Sequence, residues 1–213
     1  MPLAAVIFDC DGTLVDSEPL ARRAWDRGLG PYGYAIDDAE YAGLLGLPYA
    51  QVHAFFAERV PGLADPDTFW TAYSDELFGL IDSDLEPFDD ALATLRALQA
   101  QGLAVAVASS SPRSRLERTL HRAGLADTFA VTVAGDEIEH GKPAPDMFLR
   151  AAERMGVDPG GCAVIEDSPT GVAAGLAAGM RTVAVARAPR DVPALAGAHV
   201  VVETITPAVV LDE

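Results

Sequence analysis

Lysine is almost absent: of the fifteen Lys and Arg residues in the 213-residue chain, only Lys142 is a lysine. Positive charge is scarce altogether, and the formal net charge is -17. Such a surface excludes nucleic acid and anionic membranes as partners, since both are held mainly through Lys and Arg contacts to phosphates. Any small anion must therefore be bound locally. Cysteine is limited to Cys10 and Cys162, which rules out a disulfide framework and, with no secretory n-region, predicts reduced thiols in a cytoplasmic protein. Histidine offers no metal spacing among His53, His121, His140 and His199. Long apolar runs are missing too. The opening stretch to Phe8 meets Asp9, and the Gly171–Ala188 stretch is broken by Arg181, so neither spans a bilayer.

Half of the residues are apolar, enough to bury a sizeable core. Short Val- and Ala-rich runs recur at 4–8, 103–108, 130–134, 162–165 and 182–186, with helical patterns between the later ones. Continuous apolar runs alternating with helices predict an α/β, doubly wound parallel sheet covered on both faces. Three helices have readable ends. Leu92, Leu95 and Leu98 form one stripe before Gly102, Ser111-Pro112 opens a segment ending at Gly124, and Ser168-Pro169 opens one ending at Gly179. Residues 16–86 read as helical throughout, with Trp25, Leu44, Leu45, Phe55, Phe56, Phe69, Trp70, Tyr73 and Leu77 as interior positions. The expected organisation is a core of residues 1–15 and 87–213 with a helical insertion at 16–86. The insertion holds fourteen acidic residues against Arg22, Arg23, Arg27 and Arg59. Its acidity is that of a solvated face, against which the few arginines stand out as anion contacts.

Each expected strand of the core ends in polar residues. Asp9 and Asp11 close Val6-Ile7-Phe8, Ser109 and Ser110 follow the second run, and Glu166 and Asp167 follow the fourth. Sites in parallel α/β sheets form at the carboxyl ends of strands. Residues i and i+2 of a strand share a face, so Asp9 and Asp11 are brought close, and a divalent cation or a shared proton must relieve their repulsion. Lys142, in Gly141-Lys142-Pro143, is a compact point charge suited to a carboxylate or phosphate. The pattern reads as an enzyme.

Asp9-Cys10-Asp11-Gly12-Thr13, Ser109, Lys142-Pro143 and Glu166-Asp167-Ser168 resemble, in order and over nearly the whole chain, the four motifs of the haloacid dehalogenase superfamily. The insertion resembles its C1 helical cap. Lys-Pro-Ala-Pro-Asp, with Gly171, Ala174 and Gly175, is similar to the phosphatase and β-phosphoglucomutase branch. The resemblance implies a Rossmann-like core and Asp9 as a nucleophile that becomes an aspartyl-phosphate. It makes Asp11 the general acid and base, and Ser109 and Lys142 phosphate-binding partners. Mg²⁺ is implied at Asp9, the backbone carbonyl of Asp11 and Asp167, with Glu166 in or just behind that set. The backbone N–H groups around Cys10 and Ser110 are expected donors, and Thr13 an orienting residue. Tyr49 occupies the place of the cap's specificity loop at residues 46–51, and Arg22 and Arg23 are the cap's candidate anion contacts. The expected substrate is a small phosphorylated metabolite such as a sugar or sugar-acid phosphate, and the expected state is a monomer.

Departures from the family pattern bear on the reaction. A histidine that gates the acid-base residue in β-phosphoglucomutase falls at Ala21, and an arginine that binds its second phosphate falls at Tyr49. Both count against mutase action. Asp11 counts against dehalogenation, and the lysine-free insertion against phosphonatase chemistry. A non-catalytic metal-binding module remains as an alternative from a different class, with intact Asp9 and Asp11 speaking against it.

Overall fold

The five apolar runs pair side by side in one parallel sheet, as their composition predicts. A computed structural model of the chain, describing residues 3–44, 47, 49–188 and 191–211, adds a sixth strand at one edge. The strands are β1 (Ala5–Phe8), β2 (Ala104–Ala108), β3 (Val131–Val133), β4 (Cys162–Glu166), β5 (Arg181–Val185) and β6 (Val200–Val202). Their order is β3-β2-β1-β4-β5-β6, all parallel. From β1 the chain winds out through β2 and β3, then returns to the other side of β1 with β4. That reversal makes the carboxyl end of β1 the switch point at which such sheets bind ligands. β6 escapes a search for apolar runs because it is three half-buried residues.

β1 and β4 are buried along their whole length. Phe8 lies level with Val107 of β2 and Ile165 of β4, so Asp9, Ala108 and Glu166 come next at one height. One layer beneath is a cluster formed by Ile7, Ala106, Val164, Met147 and Phe148. Burying a Leu, Ile or Phe side chain contributes about 1.5–3 kcal/mol. The site therefore stands on a floor of tightly packed strand residues.

Ten α-helices and three short 3-10 turns join the strands among the described residues. In chain order the α-helices are α1 (Glu18–Leu29), α2 (Asp38–Leu44), α3 (Tyr49–Ala57), α4 (Pro66–Asp84), α5 (Asp89–Ala100), α6 (Arg113–Arg122), α7 (Asp146–Met155), α8 (Pro169–Ala177), α9 (Val192–Leu195) and α10 (Pro207–Leu211). Leu95 and Leu98 of α5 are buried, while Leu92 is half-buried. α8 starts as expected, with Ser168 accepting a hydrogen bond from the Gly171 N–H at 3.0 Å. The start of α6 differs: Asp136 Oδ1, from elsewhere in the chain, accepts from the Arg113 N–H at 3.0 Å, and the Ser111 hydroxyl is turned to Asp11 instead.

The chain divides into two compact units, residues 1–16 with 86–213, and residues 17–85. The second contains α1 to α4. Its core gathers Leu29, Ile36, Tyr41, Val52, Phe56, Val60 and Phe69, flanked by Trp25, Leu44, Tyr49 and Phe55. Phe69, Tyr73, Leu77 and Leu80 recur at helical spacing on the buried stripe of α4. Trp70 corrects the expectation: one position off that stripe, it is 38% exposed, with its ring against Tyr49 and Tyr73. Leu45 lies outside the described residues, as do Gly46 and Pro48 of the 46–51 loop.

Candidate active site

Asp9 continues β1, donating its N–H to Ile165 O at 2.9 Å, and is almost wholly buried. Ser109 continues β2, with its N–H on Val133 O at 3.0 Å. Glu166 ends β4 and is completely buried. Lys142 enters on the loop before α7, its ammonium 5.1 Å from the centre of the Phe148 ring. That ammonium is shared between Asp9 Oδ1 and Glu166 Oε1, the latter at 2.5 Å. The one lysine of the chain thus ends between two buried carboxylates.

Glu166 is held from both sides. Its Oε2 accepts from Asp167 N–H at 2.8 Å, Ser168 N–H at 2.7 Å and Ser168 Oγ at 2.9 Å. Gly171 leaves the room this carboxylate occupies, since a Cβ there would overlap it. Gly12, at φ 84°, does the same for Asp167, whose carboxylate lies where a Cβ would be. Thr13 Oγ1 donates to Asp167 Oδ1 at 3.4 Å. Two glycines therefore let the acids crowd together.

The crowding has an electrostatic cost. Burial first of all, then the charges of Glu166 and Asp11, push Asp9 up to about 8 against the pull of Lys142. Burial and the charges of Glu166 and Asp9 likewise push Asp167 well above the usual carboxylate range. The Lys142 pKa rises too, for a different reason. Its burial favours the neutral amine, but Asp9 and Glu166 outweigh that and hold it protonated. One cation among these acids leaves an excess of negative charge that a hard divalent cation would relieve. Asp9, Glu166 and Asp167 each offer an oxygen within 4.8 Å of the others. An all-oxygen set of few carboxylates suits Mg²⁺, which keeps waters and accepts phosphate oxygens.

The Asp11 side chain takes another direction. Its Oδ2 accepts from Ser111 Oγ at 2.8 Å and Ser109 Oγ at 3.3 Å, and its Oδ1 from Arg115 Nη2 at 2.9 Å. It is absent from the cluster of mutually close carboxylates. Ser109 is buried and also accepts from Ser111 N–H at 3.1 Å. Ser110 beside it is exposed, its carbonyl packed where a Cβ on Gly135 would sit.

Arg22, Arg23 and Tyr49 have partners within the helical unit. Arg22 pairs with Asp38 at 3.2 Å and Asp26 at 3.6 Å and also donates to Ile36 O. Arg23 pairs with Asp84 at 2.6 Å. The Tyr49 hydroxyl donates to Pro66 O at 2.8 Å. These bonds tie α1 to the start of α2 and the end of α4, and the start of α3 to that of α4.

Several residues at the site went unread in the sequence. Ser111 and Arg115 are four apart at the start of α6, where an i,i+4 pair following a strand end could have pointed to them. Arg187 lies two residues past β5, at the sheet edge that carries the acids. It donates to Gly12 O at 3.2 Å and Thr13 O at 2.7 Å, and grips both oxygens of Asp90 at 3.0 and 2.9 Å. It pins the turn that follows Asp11. Extending the strand-end rule to β5 would have found it.

Residues 3–179 match the family of haloacid dehalogenase-like hydrolases. The chain belongs to that family. It is an enzyme on the family's phosphatase and β-phosphoglucomutase-like branch. It is 35% identical over 182 residues to fructose-1-phosphate phosphatase YqaB of Escherichia coli K12, covering 84% of this chain and 95% of the relative. It is 31% identical over 190 residues to hexitol phosphatase A of the same organism, covering 89% and 85%. Among solved structures it is similar to a HAD family hydrolase from Deinococcus radiodurans R1 with bound phosphate and sodium. That match has a TM-score of 0.76 and 33% identity, and covers 94% of this chain and 91% of the other.

Proposed function

We propose that this phosphatase hydrolyses small phosphorylated sugars or sugar derivatives through an aspartyl-phosphate on Asp9, with Mg²⁺ as cofactor. The observation that carries the reading is Lys142, buried between Asp9 and Glu166 beside Asp167. Burial raises the Asp9 pKa, and the pull of Lys142, joined by Mg²⁺ when it is bound, would favour the carboxylate form. It needs no deprotonation to act as a nucleophile.

An Asp9 oxygen forms a bond to phosphorus while the bond from phosphorus to the ester oxygen breaks. The departing alkoxide takes a proton from Asp11. Water then attacks the same phosphorus, gives a proton to Asp11, and returns Asp9 as a free carboxylate. General acid and base help of this kind is worth about 10²–10⁴ in rate. Charge gathering on the equatorial phosphoryl oxygens would meet the Lys142 ammonium and the Ser109 hydroxyl, which would exchange its 3.3 Å bond to Asp11 for one to phosphate. Asp9, Asp167 and the Asp11 backbone carbonyl would hold Mg²⁺, with Glu166 behind them fixing Lys142. Bound there, Mg²⁺ supplies positive charge to the phosphate.

Fructose-1-phosphate and hexitol phosphatases among the relatives support a sugar or polyol ester as substrate. Its recognition is assigned to the helical unit around residues 46–51, including Tyr49. Arg22 and Arg23 already serve Asp38, Asp26 and Asp84 there. Ala21 and Tyr49, where β-phosphoglucomutase has His and Arg, favour water over a second sugar hydroxyl as acceptor. Two free, buried cysteines support a cytoplasmic setting. Among the described residues no helix is long and apolar enough to cross a membrane. A monomer is the proposed state.

The test is Mg²⁺-dependent phosphate release from a panel of sugar, polyol and sugar-acid monophosphates. Wild type should release phosphate, and Asp9→Asn should lose about 10³-fold or more. Equal activity of the variant would end the covalent reading. Phosphate moved between sugar hydroxyls instead of released would favour the mutase.

A further inference from the structure

The Asp11 carboxylate is gripped by donors from one short segment, the end of β2 and the first turn of α6. Ser111 and Ser109 sit on Oδ2, and Arg115 sits on Oδ1. Helix stability does not account for Arg115 at this place. A cation in the first turn opposes the helix dipole, α6 has no acidic residue in that turn, and the residue one turn on, Thr119, carries no charge. Its carboxylate partner is 104 positions away in sequence and belongs to the acidic turn after β1. Arg113, by contrast, is satisfied by Glu137 and Thr132.

From this geometry we infer that Arg115, together with Ser111, is a positioning residue for the proton-carrying carboxylate of Asp11; the inference rests on the phosphatase reading above. The residue types fit that task. A guanidinium stays protonated throughout, so it orients a carboxylate without exchanging protons with it. A serine hydroxyl donates to a carboxylate and accepts from a carboxylic acid, so Ser111 can follow Asp11 through both forms. The pair thus holds one orientation as the proton leaves for the alkoxide and another returns from water. Arg115 and Asp11 are 21% and 27% exposed, open enough to work at the edge of the site.

The discriminating measurement is the ratio of kcat/KM on an alkyl phosphate to kcat/KM on p-nitrophenyl phosphate, because kcat/KM ends at departure of the alcohol and leaves out the water step that both esters share. An alkoxide needs a proton to depart, whereas p-nitrophenolate departs without one. The ratio should fall about 10-fold or more in Arg115→Leu, recover in part in Arg115→Lys, and fall about 3-fold in Ser111→Ala, fractions of the full acid-base contribution. A fall by one common factor on both esters would mean a merely structural ion pair and overturn the inference. So would a loss that follows the charge of the substrate's alcohol, tested with neutral and carboxylate-bearing sugar esters, because Arg115 would then be binding substrate. If Arg115→Leu fails to fold, Arg115→Lys and Ser111→Ala carry the same ratio. A wild-type enzyme inactive on both esters would overturn the phosphatase reading and this inference with it. An active one with flat ratios overturns only the inference.

Discussion

Replacing Lys142 by Met removes the cation lodged between Asp9 and Glu166. The three side chains are 6%, 7% and 1% exposed, so water cannot take over the lost charge. Removing one partner of a buried pair costs about 3–5 kcal/mol, because the other charge stays buried. Glu166 keeps three donors on Oε2, which places the loss near the lower bound, about 3 kcal/mol. At about 2–4 °C per kcal/mol for a chain of this size, the midpoint should drop by about 6–12 °C. Calorimetry in EDTA, following the unit formed by residues 1–16 and 86–213, reads this without metal. Adding Glu166→Gln to Lys142→Met should recover part of the loss, since the orphaned charge is gone. Asp167→Asn alone should raise the midpoint by relieving repulsion. A midpoint for Lys142→Met equal to or above wild type would refute the view that this lysine offsets the acids.

Gly171→Ala should cost about 10²-fold in kcat, because its Cβ would push the Glu166 carboxylate and with it Lys142. Full activity would show that the close approach has no catalytic consequence. Burial raises the Glu137 carboxyl, but hydrogen bonds from Arg113 and Arg154 outweigh it and hold the group below its ordinary value. A depressed carboxylate contributes stability above its unfolded pKa of about 4.3 and loses it as pH falls through the folded value. Glu137→Gln should therefore lower the urea midpoint at pH 7, with the deficit shrinking below about pH 4. A deficit independent of pH would contradict this. Burial, then the charge of Asp158, pushes the Cys162 thiol up to about 11, and burial with the charges of Asp11 and Asp9 raises Cys10 well above the ordinary thiol range. Ellman's reagent at about pH 8 should label neither thiol in the native protein and both in urea.

The parts legible in the sequence were those in which one residue type has one use. Uninterrupted Val and Ala runs could only be buried parallel strands, and Asp9, Ser109 and Glu166 fell at their ends because strand ends are where the backbone turns out of the sheet. Lys142 stood out through its rarity. What could not be read were partners chosen among equals. Fourteen arginines look alike in sequence, and only the fold distinguishes Arg115 on Asp11 and Arg187 on the Gly12-Thr13 turn from Arg22 and Arg23, which brace the helical unit. Ser111 looked like a helix cap because Ser-Pro usually is one, yet the charged partner won it. Trp70 looked like core on hydrophobicity alone, although the Phe69–Tyr73–Leu77 stripe had already filled the buried face of α4. β6 was too short for a pattern to register.

In the proposed reaction the phosphoryl group passes through the Asp9 side chain. Mixing enzyme with a radiolabelled sugar phosphate and Mg²⁺, quenching in acid within milliseconds, and mapping the retained label by mass spectrometry tests it directly. Label is expected on the peptide carrying Asp9 in wild type and none in Asp9→Asn. Phosphate released by wild type with no label ever retained on Asp9 would contradict it.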